Sequence, residues 1–204
     1  MEQSLMELYS NREVRFTSKQ VCKISLSVSQ ALAYLHDRKP HALVCRNLTP
    51  TKVFVSTDYS SVKLGGFSEA AYCKKHSTGQ NEPCDPVDPM AASVVFMAPE
   101  LLKEGGEPCW DEKVDIFSFG ILLWCLFPEN HAKRVYPFPN ARQIVRAVLE
   151  GQRPDEPLLI GEQGEQKHFY LCLKQLMSIC LLDNPKRRPT SSEVSQMIAQ
   201  YSTI

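Results

Sequence analysis

The stretch KVDIFSFGILLWCLF, residues 113–127, is apolar on nearly every face of the helix it would form. A helix of that kind has no side to offer to water, so it has to lie buried at the centre of a sizeable helical domain. Its apolar run, residues 116–127, is too short to cross a bilayer, which takes about 20 residues. The rest of the chain must therefore supply the elements that surround it. With 204 residues, 43 % of them apolar, the chain has enough material for one domain with a real core.

Several surrounding helices can be read from caps and periodicity. In FTSKQVCKISLSVSQALAYLH, Thr17 caps, Gln20 completes a capping box and Phe16 staples onto Val21. Apolar residues then recur at Val21, Ile24, Val28, Ala31, Leu32 and Leu35, which is helical spacing. Three more amphipathic helices follow the buried one. The first is capped by Asn140, with Ile144, Val145, Val148 and Leu149 on one side. The second carries Phe169, Leu173, Leu176 and Cys180. The third is capped by Thr190 with Glu193 three residues on, ahead of Val194, Met197, Ile198 and Tyr201. A short amphipathic segment with Leu5, Met6 and Leu8 opens the chain. VFVSTDYSSVKL reads as a β-hairpin around a polar turn. Residues 66–93, with prolines at 83, 86 and 89, lose all periodicity and read as a long loop in which PCDPVDP is a stiff stretch. The expected fold is mainly α with one small hairpin.

Charge and cysteine usage exclude several classes. Lys plus Arg and Asp plus Glu are 23 each, so nothing draws the chain to nucleic acid or to an acidic membrane. Eight cysteines, at 22, 45, 73, 84, 109, 125, 172 and 180, form no C-x-x-C pair and mostly lie in apolar runs. Buried, reduced thiols of a cytoplasmic protein account for them better than zinc or disulfides do. The opening MEQSLMELYS has no apolar core of a signal peptide.

The remaining informative stretch is CRNLTPTK, residues 45–52, between the first long helix and the hairpin. Together with its neighbours it resembles the C-terminal lobe of the eukaryotic protein kinases. SLMELYS resembles the helix after the hinge, and ALAYLH the end of the helix before the catalytic loop. CRNLTPTK stands where that family has H-R-D-L-K-P-x-N, and KLGGFS where it has D-F-G. FMAPE, KVDIFSFGILLW and NPKRRPT match the end of the activation segment, the buried central helix and the start of the last helix. The central helix is similar in wording to the tyrosine-kinase-like branch. The resemblance implies a kinase-like C-lobe over residues 1–204, with an activation-segment-like loop at 66–100. No glycine-rich phosphate loop or strand lysine of the small lobe is found in this sequence. The N-terminal β-rich lobe is therefore expected to be absent and apolar surface to be left uncovered, with self-association or poor solubility as the consequence.

Position by position, the resemblance implies a degenerate site. Cys45 and Arg46 stand for the first two residues of H-R-D, and Asn47 for the catalytic aspartate. An amide cannot act as a base near neutral pH, and losing a general base costs about 10²–10⁴ in rate. Thr49 replaces the lysine that faces the phosphate, Lys52 the metal-binding asparagine, and Gly66 the metal-binding aspartate; Phe67 keeps the aromatic that packs beneath the site, and Ser68 ends the D-F-G region. Hard Mg²⁺ needs oxygen ligands, and neither Lys52 nor Gly66 supplies one from its side chain. Lys52 is either a solvated lysine or a cation that contacts phosphate directly. Arg46 either docks a phosphorylated loop or pairs with Glu82, Asp85 or Asp88. Ser77, Thr78 and Ser93 are candidate phosphorylation or substrate-loop positions, against a plain polar loop. Phe54 stands at the floor of the adenine pocket, as a core aromatic. The frame positions match: Asp115 holds the catalytic-loop backbone, and Glu100 with Arg188 forms the buried ion pair.

The function expected of such a chain is that of a catalytically inactive lobe that scaffolds or allosterically regulates other proteins, among them an active kinase. It would have no cofactor, no nucleic-acid partner, no membrane insertion, and a cytoplasmic location. The alternatives are a shortened product of an atypical serine/threonine kinase, whose longer form would use ATP and Mg²⁺, and a sensor that binds ATP without hydrolysing it.

Overall fold

The computed structural model of the protein describes residues 2–11, 14–73, 94–103, 110–130 and 133–201. Among these residues the elements in chain order are β1 (Glu2–Ser4), α1 (Leu5–Ser10), α2 (Ser18–His36), β2 (Ala42–Val44), β3 (Val53–Ser56), β4 (Val62–Leu64), β5 (Ala71–Cys73), α3 (Pro99–Leu102), α4 (Lys113–Leu126), α5 (Ala141–Leu149), α6 (Gly164–Cys180) and α7 (Ser191–Tyr201). The fold is mainly α.

Every residue of α4 from Val114 to Trp124 is buried, as an all-round apolar sequence requires. Its polar atoms are satisfied within the protein: the Ser118 hydroxyl donates to the Phe96 carbonyl at 2.7 Å, and the Trp124 indole donates to the Asp155 carbonyl at 2.7 Å. Helix α6 lies along α4, and α2 lies against both α4 and α7. The α2 stripe Val21, Ile24, Val28, Leu32 and Leu35 joins this core, as do Phe169, Leu173, Leu176 and Cys180 of α6.

The helix starts follow the sequence chemistry. Thr17 and Gln20 exchange bonds, the Gln20 N–H to the Thr17 hydroxyl at 3.3 Å and the Thr17 N–H to the Gln20 side chain at 2.8 Å. Thr190 and Glu193 do the same at α7. Asn140 accepts from the Gln143 N–H at 3.0 Å. A further box, Ser4 with Glu7, opens α1. Two apolar residues expected on buried faces are not there: Met6 is 41 % exposed and Leu149 42 %.

The β structure is richer than one hairpin. β3 and β4 form that hairpin, but β1 adds to β3 as a third antiparallel strand, pairing Glu2 with Ser56 and Ser4 with Phe54. β2 and β5 pair antiparallel in a second small sheet, Ala42 opposite Cys73 and Val44 opposite Ala71. So the segment from residue 66 begins with ordered structure, although the sequence there shows no period. Strand alternation in β3 sends Val53 and Val55 into the core and leaves Phe54 half-buried on the other face, where its ring covers Gly65. Phe54 is thus not a core aromatic. The described cysteines are free thiols. No described helix is long and apolar enough to cross a membrane.

Gly120 fixes how closely α4 and α6 approach. A Cβ there would come within 2.8 Å of Leu181 Cδ2 and 3.0 Å of Cys180 Cβ. Gly120→Val is expected to cost about 1–3 kcal/mol through overpacking. At about 2–4 °C per kcal/mol for a domain of this size, a thermal melt reads that directly.

Candidate functional site: a catalytic-loop frame

The site is organised by Asp115, which lies in the first turn of α4 and is fully buried. Its Oδ2 accepts from the Cys45 backbone N–H at 2.8 Å and pairs with His36 Nε2 at 2.9 Å; its Oδ1 accepts from the Arg46 N–H at 2.8 Å. A carboxylate only accepts, so His36 carries its proton on Nε2, and its Nδ1 lies 3.1 Å from the Ser191 hydroxyl at the head of α7. One carboxylate therefore joins α2, the 45–46 turn and α4, and through His36 reaches α7. Burial, with the charge of Asp115 second, pushes the Cys45 thiol far up, which makes it a small buried hydrophobe and not a nucleophile.

The turn held by Asp115 has Arg46 in the left-handed region, at φ 60°. Its side chain donates from Nε to the Glu69 carbonyl at 2.6 Å, and its guanidinium lies 5.1 Å from the centre of the Trp110 ring, which is 3 % exposed. The candidate acids Glu82, Asp85 and Asp88 lie outside the described residues, as do Ser77, Thr78 and Ser93. Asn47 follows, half-buried. Thr49 is 5 % exposed, and its hydroxyl is 2.7 Å from that of Thr51, so it is turned into the loop.

Lys52 ends a 3₁₀ turn, Pro50–Lys52, and its carbonyl accepts from the Gly65 N–H at 2.9 Å. That bond brings Lys52 against Gly66, which sits at φ 69°. A Cβ on Gly66 would lie 2.5 Å from Cδ and 2.7 Å from Nζ of Lys52. The lysine side chain thus fills the space into which a side chain at 66 would project. The two positions that the kinase resemblance assigns to metal ligands hold an ammonium and a glycine in contact, and this pair does not fit a hard divalent cation. Phe67 and Ser68 continue in an exposed 3₁₀ turn. Phe67 is 43 % exposed and not packed beneath the site, and the Ser68 hydroxyl bonds its neighbour Glu69 at 3.1 Å.

A second anchor lies below. Arg188, 2 % exposed, donates from Nη1 and Nη2 to both oxygens of Glu100 at 2.6 and 2.9 Å. Its remaining donors go to the carbonyls of Leu182, Lys113 and Asp183, and its guanidinium lies 5.0 Å from the centre of the Phe117 ring. This bidentate pair ties α3 to α4 and to the turn before α7.

This arrangement, a mainly helical lobe around a buried helix whose aspartate clamps a loop, is that of a protein kinase large lobe. The protein kinase domain family matches residues 1–199, and the chain belongs to that family. It is 29 % identical over 187 residues to human mitogen-activated protein kinase kinase kinase 7, covering 90 % of this chain and 26 % of that protein. It is also 29 % identical over 188 residues to the insulin receptor of Xenopus laevis, covering 89 % of this chain and 12 % of the receptor. The chain spans less than half the length of the relatives it matches.

Sequence reading gave no role to His36, Trp110 or Ser191. His36 had a signal: it falls four residues after Leu32 and eight after Val28, on the buried stripe of α2, where a polar residue needs a buried partner. Trp110 and Ser191 carry no local pattern. Glu100→Ala would strand the Arg188 guanidinium in the interior. The expected loss is about 3–5 kcal/mol by urea unfolding, whereas the paired change Glu100→Leu with Arg188→Met recovers only part of it, because the carbonyls of Leu182, Lys113 and Asp183 lose their donor.

Proposed function

We propose that this chain is a catalytically inactive kinase-like lobe that acts through protein contacts, as a cytoplasmic scaffold or allosteric regulator of an active kinase. The observation that carries the reading is the contact of Lys52 with Gly66. A positive charge stands where the resemblance places the metal ligands, and Asn47 stands where it places the base. The frame beneath, Asp115 and the Glu100–Arg188 pair, is complete. A lobe with this frame keeps the surfaces of the 94–102 segment and α5 in place for a partner. The wording of the central helix supports a tyrosine-kinase-like origin.

The test is phosphotransfer by the purified chain with labelled ATP, Mg²⁺ or Mn²⁺ and generic protein substrates. No incorporation above background is expected. Incorporation that vanishes in Lys52→Ala or Asn47→Ala would overturn the reading.

The geometry also predicts how the site responds to repair. In Gly66→Asp the new carboxylate is taken up by the adjacent ammonium, so no Mn²⁺-dependent shift in melting temperature is expected. Adding Lys52→Asn frees the carboxylate, and a shift should then appear. A shift in the single variant would show that Lys52 does not guard the position.

A further inference from the structure

An open cavity of about 530 Å³ lies between α1, the 94–96 turn and the start of α5. Its walls are apolar: Met6 of α1, Val95 and Phe96 of the turn, Phe138, and Ile144 of α5. Of the turn that carries Lys52, only Pro50 lines it. The volume falls within the range of about 300–1,000 Å³ of sites that take small molecules, and such sites pair apolar walls with a few convergent polar groups.

Tyr9, Ser10 and Asn130 contribute polar groups to the lining, and its charged groups come from one short stretch. Lys133 and Arg134 are exposed and line the cavity, and Tyr136 lines it two residues on. Tyr136 is 3 % exposed, and its hydroxyl has no hydrogen-bond partner among the described residues. A buried hydroxyl left unpaired costs about 1–3 kcal/mol, which a ligand oxygen would recover. Burial pushes this phenol up to about 12, against the opposing effect of Arg153, so it keeps its proton near neutral pH and acts as a donor. Two cations and one orphan donor therefore meet a largely apolar lining that, among the described residues, holds no carboxylate. That combination complements an amphiphile with an anionic head.

We propose that this cavity is a binding site for a small amphipathic organic carboxylate. The carboxylate lies at Lys133 and Arg134 and accepts the hydroxyl of Tyr136, and the hydrocarbon body lies against Met6, Phe96, Phe138 and Ile144. The proposal goes beyond the function proposed above: it shares Val95, Phe96 and Ile144 with the surface given to a partner there, but its test uses neither phosphotransfer nor a partner protein, so either reading can fail with the other intact.

The test is isothermal titration calorimetry of the whole chain with three probes that share a tail, namely decanoate, decanol and decylamine. Decanoate is expected to bind once per chain and about tenfold or more tighter than either of the others. Lys133→Glu with Arg134→Glu, both at exposed positions, should weaken decanoate by about tenfold and leave decanol unchanged. Tyr136→Phe should weaken decanoate by a few-fold yet raise the melting temperature of the unliganded protein, because it removes the orphan hydroxyl. A hydroxyl with a structural role would instead lower that temperature. Equal binding of the three probes, or indifference of decanoate to the double charge reversal, would overturn the proposal. So would failure of decanoate to bind while an acidic peptide with one large apolar residue does, which would make the cavity a protein-docking groove.

Discussion

A single carboxylate with no exposure to water sets the geometry of the upper face. Burying a charge is costly unless it is fully hydrogen-bonded, and Asp115 meets that condition with two successive backbone N–H groups and an imidazole. Its place in the first turn of α4 adds the favourable end of the helix dipole. In return it fixes what it touches. Arg46 sits in a left-handed backbone conformation that a non-glycine residue adopts only when its surroundings impose it. Here the bonds to Asp115 from residues 45 and 46 impose it. The shape of the loop is therefore set from below, by α4, and not by the side chains the loop carries. This is why CRNLTPTK can carry Asn47, Thr49 and Lys52 where the kinase resemblance implies other residues and still be held in its shape.

The second anchor hangs on the same helix. Arg188 bonds the Lys113 carbonyl at the start of α4, lies against the ring of Phe117 and grips Glu100 with two bonds. The apolar helix that first constrained the fold is thus more than a core filler. Its N-terminal turns hold Asp115, which positions the loop, and Lys113 and Phe117, which help position the arginine that holds α3. The lobe's working surfaces are consequently built outward from one element, and that element tolerates little change: Gly120, two turns on, already sits at the limit of approach to Leu181.

What the sequence disclosed divides by range. Caps, stripes and the buried helix are local properties, and Thr17–Gln20, Asn140 and Thr190–Glu193 were all legible from spacing alone. The pairing of β2 with β5 was not, because three-residue strands show no period and the central partners, Leu43 and Tyr72, lie 29 positions apart. The faces of single aromatics were misread for the same reason. Phe54 and Phe67 are apolar, but strand alternation in β3 and the 3₁₀ turn after Gly66 decide where they point, and neither points into the core. Trp110 is the opposite case: an isolated residue with no pattern around it, which becomes the buried platform for Arg46 only once the chain has folded. Of the candidate site, the residue types were legible, and the resemblance implied the contacts of Asp115 with the loop backbone and of Glu100 with Arg188; the contact of Lys52 with Gly66 and the platform of Trp110 were not legible.

Lys52 and Gly66 show how much that difference matters. Read in sequence they are two independent departures from the kinase pattern, fourteen positions apart. In the fold they are one change, because the backbone bond from Gly65 to Lys52 sets the two residues side by side and the lysine stem occupies the room that glycine leaves. Each residue makes the other tolerable. A long side chain at 52 needs the space at 66, and the left-handed backbone at Gly66 disfavours any residue with a Cβ. A side chain added at 66 alone meets the lysine, so what position 66 can hold depends on the residue at 52. The Asp115 clamp and the Glu100–Arg188 pair are held by bonds of their own, to the 45–46 backbone and His36 in the one case and to the carbonyls of Leu182, Lys113 and Asp183 in the other, so the frame does not depend on the residues at 52 and 66 for its hydrogen bonds.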